Sequence, residues 1–320
     1  MKEMKKMNSK NNQEQVHDLA LDIGCSGVKA VWEEVEMKER EDKKNGEKKS
    51  EDKESGEKNY QFLSVAYEND DSFDLFCMAL PPAERCYLVG FGNYELLKEK
   101  FSGTEISKIT AHQIFSQGTS LQERLDAEIE MQAAGAKKLL QIAGHPCNDF
   151  LLVSLGTGIS YASVTPEKNI HLGGSPLGGK HLSVLSELLG IKNFPTSMGD
   201  DLDLRMKDQL PETAGTFLGE LVIGHFAKFS GKASPEQIYR SLVNEVAVGV
   251  YKEISRFPEQ EKVVYVGATH LHHPLLSDLL GRYTQALGKT PLFVADGEYA
   301  LALGIYESRE REGWKELKLP

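Results

Sequence analysis

Two short apolar runs that each end in a glycine-rich turn constrain this chain more than any other feature. One run covers residues 19–23 and its turn residues 24–27, while the other covers residues 150–155 and its turn residues 156–158. Glycine lets the backbone reverse sharply, and without a Cβ its N–H group can approach an anion closely. A single Gly-x-x-Gly is more often a plain hairpin turn, so the argument depends on the repeat. Together the turns predict a site that binds one polyphosphate from two sides.

The glycine turns do not follow the two commonest nucleotide-binding patterns. A Walker A motif, Gly-x-x-x-x-Gly-Lys-Ser/Thr, occurs nowhere in the sequence, and the turn at residues 24–27 does not lead into the helix that a dinucleotide fingerprint requires. A third glycine-rich segment, residues 173–179, leads into a predicted helix at residues 180–189. The first N–H groups of a helix have no partner inside it, so this segment is a third candidate phosphate contact.

The composition excludes several classes of protein. The chain has 320 residues, of which 40% are hydrophobic, and this is enough for the cores of two domains. Its formal net charge of -11 argues against a general nucleic-acid binder, whose surface would be basic. No apolar run reaches the roughly 18 residues that span a bilayer, and the basic residues 1–12 lead into no signal-peptide core. We therefore expect a small-molecule substrate, with neither nucleic acid nor a membrane as partner.

Cysteine and histidine do not predict a zinc site. The four cysteines form no Cys-x-x-Cys pair, so we expect no disulfide framework and a reducing, cytoplasmic location. The histidines at 270, 272 and 273 have no acidic partner at an established ligand spacing, and we interpret them as polar loop residues. The cysteines are Cys25, Cys77, Cys86 and Cys147.

The chain divides into a short tail, two domains and one insert. We expect residues 1–15 to be disordered, residues 16–149 to form an N-terminal domain and residues 150–320 a C-terminal domain. Residues 33–58 consist almost entirely of charged residues, Ser, Gly and Asn, and cannot bury enough apolar surface to offset the entropy of ordering them. This segment is predicted to be an exposed insertion, and a binding arm is the alternative.

The order of predicted elements is similar in the two halves. In both, a strand leads to a glycine turn and a second strand, and a helix follows later. Two duplicated α/β halves are typical of a protein that holds its ligand in a cleft between them. The predicted strands are residues 19–23, 28–33, 60–65, 86–89, 150–155, 160–164, 262–266 and 291–294, and the predicted helices are residues 122–143, 180–189, 237–257, 274–287 and 297–307.

Taken together, these motifs resemble the type II pantothenate kinase family, a branch of the actin and hexokinase ATPase superfamily. The resemblance implies an α/β fold of two actin-like (ribonuclease H-like) domains with a nucleotide cleft between them. It also implies a homodimer that uses ATP and Mg²⁺ to phosphorylate the 4′-hydroxyl of pantothenate, the first step of coenzyme A synthesis. The similar segments follow the family's order: residues 22–29, 88–93, 128–140, 152–160, 171–189, 264–269 and 296–306.

The resemblance also implies which residues bind the nucleotide and its metal. Asp22, at the end of the first strand, is suited to hold a hydrated Mg²⁺, which prefers oxygen ligands. Lys29 is placed to face the terminal phosphate, and Thr157 is similar to the family's nucleotide-contacting threonine. The alternatives are that Asp22 only caps its turn and that Lys29 is an exposed strand residue. The implied binding residues are Asp22, Gly24, Ser26, Gly27, Lys29, Gly156, Thr157, Gly158, Gly178, Gly179, Lys180, Gly267 and Ala268.

The general base is predicted at Glu128. Glu128-Ile129-Glu130 is similar to the family's pair of acidic residues at the opening of a helix, whose first member takes the proton from the pantothenate hydroxyl. A carboxylate in that position would be held in its ionised form by the helix dipole. Asp126 is the alternative base if the helix begins earlier.

Two departures from the family pattern bear on the acceptor. His171 stands where the family usually has an arginine, and histidine cannot form a bidentate clamp on phosphate or carboxylate. Lys180 follows Gly178-Gly179 where the family tends to have a third glycine, so it either replaces the missing arginine or points to solvent. We expect His171 to belong to the catalytic site. The alternatives are a kinase of the same fold for pantetheine or a sugar, and a nucleotide-binding regulatory protein with little catalysis.

Overall fold

The structure, a computed structural model, describes residues 16–34, 58–67, 70–89, 110–113, 120–312 and 314–317. The predicted disordered N-terminus, residues 1–15, lies outside the described residues. The same holds for residues 35–57 of the predicted charged insert and for residues 90–93 of the segment similar to the kinase family.

The described part of the chain mixes strands and helices throughout. The strands are β1 (Val16–Ile23), β2 (Gly27–Glu33), β3 (Tyr60–Ala66), β4 (Ala83–Val89), β5 (Thr110–Gln113), β6 (Phe150–Leu155), β7 (Ile159–Val164), β8 (Asn169–Ser175), β9 (Leu204–Arg205), β10 (Val222–Gly224), β11 (Lys262–Val266), β12 (Thr290–Phe293) and β13 (Lys315–Leu317). The helices are α1 (Asp70–Ala79), α2 (Leu121–Ile142), α3 (Gly179–Leu188), α4 (Met206–Gln209), α5 (Phe217–Glu220), α6 (Pro235–Ile254), α7 (Thr269–His272), α8 (Pro274–Ala286) and α9 (Ala300–Glu307). Single 3₁₀ turns lie at Pro211–Thr213 and Gly297–Tyr299.

The first sheet has the strand order β13-β5-β4-β1-β2-β3. Its central strand, β1, runs antiparallel to β2 and parallel to β4. Leu19, Leu21 and Ile23 of β1 pack with Phe73 and Phe76 of α1, all fully or almost fully buried. The alternation of strand side chains explains this packing, because every second residue of β1 faces the same side of the sheet.

The second sheet has the order β12-β11-β6-β7-β8. Leu151, Val153 and Leu155 of β6 join the core formed with α6 and α8. The intervening residue Ser154 points to the opposite face, where its Oγ accepts a hydrogen bond of 2.7 Å from Nε2 of Gln132 on α2. The second sheet is therefore covered by α6 and α8 on one face and reached by α2 on the other.

A small two-stranded sheet, β9 with β10, lies in the segment that the kinase resemblance does not cover. The buried carboxylate of Asp203 attaches it to α6, because it accepts a hydrogen bond of 2.6 Å from Nδ2 of Asn244. The same carboxylate accepts the backbone N–H of Phe226 at 3.2 Å and lies 3.3 Å from Nδ1 of His225. These contacts lower the pKa of Asp203 despite its burial. The sequence analysis predicted no element here.

The chain forms two compact units whose limits differ from the predicted domain boundary between residues 149 and 150. The first unit contains the described residues before Ser120 and those from Ile305 onward, and the second contains Ser120–Gly304. The difference arises because α2, expected in the first domain, packs against β8 of the second sheet. α2 also approaches α9 closely, since a Cβ added to Gly135 would overlap the carbonyl oxygen of Ala300.

The glycine contact between α2 and α9 is expected to be essential for stability. A Cβ at Gly135 would overlap the Ala300 carbonyl oxygen, and a Cβ at Gly304 would overlap the carbonyl oxygen of Met131. Because both obstacles are backbone atoms, we expect Gly135→Ala to lower the free energy of unfolding by about 3 kcal/mol, as forced overpacking does. Urea denaturation measures this change.

Gly249→Ala is the matched control for that measurement. Gly249 also lies inside a helix, α6, but nothing lies within 4 Å of an added Cβ. Alanine is the better helix former there, so this variant should gain roughly 0.5–1 kcal/mol. Equal stabilities of Gly135→Ala and Gly249→Ala would contradict the close packing of α2 on α9.

Candidate active site

The turn between β1 and β2 is built by backbone contacts. The N–H of Gly24 donates to the carbonyl oxygen of Gly27 at 2.9 Å, and the N–H of Tyr67 donates to the carbonyl oxygen of Ser26 at 3.1 Å. A Cβ on Gly27 would overlap the carbonyl oxygen of Val65. Glycine is therefore required at position 27 by the neighbouring strand β3, whether or not an anion binds.

Asp22 and Lys29 are brought together by strand register. They lie opposite each other across β1 and β2, and Nζ of Lys29 is 3.2 Å from Oδ2 of Asp22. The side chain of Asp22 is 7% exposed and that of Lys29 is 29% exposed. One carboxylate and one ammonium group thus lie beside the first glycine turn, and Lys29 is not simply an exposed strand residue.

Tyr67 is a residue of this turn that the sequence analysis missed. Its Oη is buried and makes no hydrogen bond within the described part of the chain. Burial, with the negative charges of Asp22 and Cys25, raises the pKa of Tyr67 to about 12. The hydroxyl therefore remains a proton donor at neutral pH. Nothing in the sequence just after β3 marks Tyr67 as a residue of this turn.

In the second unit, three predicted glycine segments meet at one place. The N–H of Gly179 donates to the carbonyl oxygen of Gly156 at 2.8 Å, and the N–H of Lys180 donates to that of Thr157 at 3.2 Å. Oγ1 of Thr269, next to the predicted Gly267-Ala268, donates to the same Gly156 oxygen at 2.9 Å. We call residues 156–158, 178–180 and 267–269 the glycine cluster.

The glycine cluster requires glycine for steric reasons, as Gly178 and Gly267 show. A Cβ on Gly178 would lie 2.5 Å from the carbonyl carbon of Gly158. Gly267 has a φ of +94°, a conformation that side chains disfavour, and its Cβ would overlap the Leu155 carbonyl oxygen. These contacts leave a narrow, backbone-lined surface of the kind that binds phosphate.

The start of α3 differs from the expectation in one respect. The first-turn N–H groups were predicted to be available to an anion, but those of Gly179 and Lys180 already donate to the turn at residues 156–158. They support that turn instead. The predicted phosphate contact at residues 178–180 therefore supports the turn in this structure. The N–H of Gly156 is also engaged, because it donates to the carbonyl oxygen of Gly158 at 3.0 Å.

His171 lies on β8, which the sequence analysis did not recognise as a strand. It is half-buried and pairs with Ala162, just beside an irregularity in the pairing between β7 and β8. Gly173, two residues later, has a φ of +128°. Bulges of this kind redirect side chains and are frequent near active sites. Because α2 packs on β8, His171 and Glu128 lie on elements in mutual contact.

The prediction that Glu128 lies at the opening of its helix is wrong. α2 begins at Leu121, where Ser120 and Glu123 form a capping box, so Glu128 lies well beyond the first turn. A helix dipole acts mainly within that first turn, so it does not explain an ionised Glu128. Glu128 is half-buried, whereas the alternative base Asp126 is exposed and accepts a hydrogen bond of 2.7 Å from Nε2 of Gln122.

The interpretation of the histidines as polar loop residues is wrong for two of them. His270 is 3% exposed and His273 is 2% exposed. Nδ1 of His273 is 2.6 Å from Oη of Tyr239, whereas neither ring nitrogen of His270 has a hydrogen-bond partner among the described residues. Burial, and more weakly the neighbouring His272, lowers the pKa of each to about 4. In the described ranges, no three His, Cys, Asp or Glu residues are grouped so that they could hold a metal ion.

The described part of the chain has the mixed α/β fold, with two main sheets, that was expected of an actin-like protein. One solved structure, the activator of the 2-hydroxyisocaproyl-CoA dehydratase from Clostridium difficile with bound ADPNP, matches 92% of this chain and 96% of its own with a TM-score of 0.51 and 12% identity. That likeness concerns the fold alone. No family model matches the sequence. None of the helices in the described ranges is long and apolar enough to cross a membrane.

Curated relatives show which kinases the sequence is similar to. The chain is 29% identical over 192 residues to the type II pantothenate kinase of Bacillus cereus, which covers 56% of this chain and 70% of the relative. It is 25% identical over 206 residues to the type II pantothenate kinase of Staphylococcus haemolyticus, covering 60% of this chain and 77% of the relative. The predicted resemblance to this family is thereby confirmed.

Burial of the histidines predicts a loss of stability in acid. Because the pKa values of His270 and His273 are about 4 in the folded chain, against an ordinary value of 6.5, only the unfolded chain binds these protons between those two pH values. The free energy of unfolding should therefore fall as the pH falls from 6.5 to 4. Urea denaturation at pH 7.5 and pH 5 measures the fall, which His270→Leu should reduce.

His145→Gln is the control, because His145 is exposed. The His145→Gln chain should lose as much free energy of unfolding between pH 7.5 and pH 5 as the unchanged chain does. A His270→Leu chain that loses as much stability in acid as the His145→Gln chain would contradict the assignment.

Proposed function

We propose that this chain is an ATP-dependent kinase that phosphorylates the 4′-hydroxyl of pantothenate, the first step of coenzyme A synthesis. The observation that carries the proposal is the glycine cluster, where residues 156–158, 178–180 and 267–269 meet through backbone groups and the Thr269 hydroxyl. The sequence similarity to type II pantothenate kinases supports the choice of acceptor.

The residues beside the first turn fit a hydrated Mg²⁺ with ATP. Mg²⁺ usually takes one or two carboxylates together with water and phosphate oxygens. Oδ2 of Asp22 is paired with Lys29, which leaves Oδ1 as the ligand for the metal or its water. When bound, Mg²⁺ neutralises charge on the phosphates. Lys29 pairs with this carboxylate and places its positive charge beside the terminal phosphate.

The protein's remaining tasks are positioning and proton transfer, because phosphoryl transfer needs no covalent enzyme intermediate. In the second unit, the turn at residues 156–158 lies against the phosphates, and Thr157 contacts the nucleotide. Glu128 accepts the proton of the acceptor hydroxyl. His171 contacts the acceptor with a single ring nitrogen, where an arginine would form two parallel hydrogen bonds.

We further propose a homodimer in the reducing cytoplasm. Five large apolar side chains between residues 206 and 229 are at least one-third exposed, which is typical of a surface covered by another subunit. In the described ranges, none of the four cysteines is joined in a disulfide. The exposed side chains are Leu210, Phe217, Leu218, Ile223 and Phe229.

The assignment of the base is tested by two isosteric substitutions on α2. We expect Glu128→Gln to reduce kcat about 100-fold or more, because general base catalysis contributes roughly that much. Affinity for ATP should not change, since Glu128 acts on the acceptor. Asp126→Asn is the matched control and should retain kcat. If Asp126→Asn lowers kcat and Glu128→Gln retains it, the base is Asp126.

The acceptor is tested by a coupled assay of ADP release with pantothenate, pantetheine and several sugars. Pantothenate should give the highest kcat/KM, and His171→Arg should raise it by restoring a bidentate donor. Preference for pantetheine or a sugar would make this a kinase of the same fold for another acceptor. A chain that binds ATP and phosphorylates none of them would instead be a nucleotide-binding regulatory protein.

A further inference from the structure

A partly buried hydrogen bond connects the helix that carries Glu128 with the strand that enters the glycine cluster. Nε2 of Gln132 donates to Oγ of Ser154 at 2.7 Å, and the Gln132 side chain belongs to a residue that is only 8% exposed. Ser154 shares its face of β6 with Phe150 and Leu152, both buried apolar residues. Burying polar side chains on an otherwise apolar face costs free energy unless they are hydrogen-bonded, so the presence of this pair calls for an explanation.

The position of this pair provides that reason. Glu128 and Gln132 are four residues apart and therefore lie on the same side of α2, about 6 Å apart along the axis. Gly156 follows Ser154 by two residues, which is about 7 Å along a strand. The hydrogen bond thus lies one helical turn from the proposed base and two strand residues from the phosphate-binding turn.

We propose that Gln132 is a positioning residue whose hydrogen bond to Ser154 sets the placement of Glu128 relative to the turn at residues 156–158. This inference rests on the proposed function. Apolar contacts between a helix and a sheet tolerate small shifts, whereas a hydrogen bond is directional and weakens steeply when it is bent. The Gln132–Ser154 bond therefore restrains sliding and rotation of α2 over β6.

The packing of α2 on α9 complements this restraint. The backbone approach of Gly135 to Ala300, and of Gly304 to Met131, sets how close the two helices lie. Met131 and Gln132 are adjacent, so the same part of α2 is held against α9 by steric contact and against β6 by a hydrogen bond. Glu128, the proposed base, lies one helical turn from this segment toward the N-terminus of α2.

Loss of the hydrogen bond should lower turnover more than binding. A misplacement of 1 Å can cost about 100-fold in rate, because the reacting groups must be held at near-contact distance. We expect Gln132→Met, which keeps the length of the side chain, to lower kcat about 10- to 100-fold with KM for ATP changed by less than about twofold. Ser154→Ala should do the same, and Ser154→Thr, which retains the hydroxyl, should keep more of kcat than Ser154→Ala.

The experiment uses the full chain and compares kcat, KM for ATP and KM for pantothenate at a temperature where circular dichroism shows each variant to be folded. Gln122→Met is the matched control, because Gln122 makes a hydrogen bond of the same 2.7 Å length from the same helix, but on its exposed side to Asp126. The double variant Gln132→Met/Ser154→Ala should be no slower than the slower single variant, since both substitutions remove one interaction.

The outcomes separate this inference from the function on which it rests. An unchanged chain that phosphorylates pantothenate, with Gln132→Met and Ser154→Ala within twofold of its kcat, overturns the positioning role alone. Fully additive losses in the double variant overturn it as well. An unchanged chain that phosphorylates no acceptor overturns the proposed function and the inference together. If Gln132→Met does not fold, the comparison of Ser154→Ala with Ser154→Thr decides.

Discussion

Everything proposed for the second unit depends on the close approach of bare backbone at the glycine cluster. The carbonyl oxygen of Gly156 accepts both the N–H of Gly179 and the hydroxyl of Thr269, so one atom ties three distant parts of the chain together. A Cβ on Gly179 would overlap Oγ1 of Thr269 and lie 2.8 Å from the Gly156 carbonyl oxygen, so a side chain there would prevent this approach. The turn at residues 156–158 is consequently held in place by protein contacts, which reduces the reorganisation that binding an anion requires.

The two glycine turns do different structural work although they look alike in sequence. The turn at residues 24–27 is supported by β3 and lies beside the Asp22–Lys29 pair, so it combines backbone donors with a carboxylate and an ammonium group. The turn at residues 156–158 is supported by α3 and Thr269, which contribute backbone and hydroxyl groups. Charge is thus concentrated at the first turn and neutral dipoles at the second, a division that suits a metal-bound phosphate and a phosphate held by N–H groups respectively.

Much of the candidate site could be read from sequence because local rules control it. The strands β1, β6 and β11 and the turns that follow them were expected from apolar runs ending in glycine, and α2 was expected from its helical spacing. The start of α2 was also readable, since Ser120 and Glu123 have the spacing of a capping box. Since the capping box sets the helix opening at Ser120, Glu128 lies beyond the first turn and outside the main reach of the helix dipole.

The sequence by itself determined the α/β character, the glycine turns, the kinase resemblance and the residues to consider for catalysis, because strand period, helix period and glycine geometry act over a few neighbouring residues. Only the tertiary structure decided that α2 packs on β8, that Gln132 meets Ser154, that His270 and His273 are buried and that Tyr67 lies beside Asp22. These are contacts between residues far apart in the chain. They depend on the shapes and separations of packed elements, which no local pattern encodes.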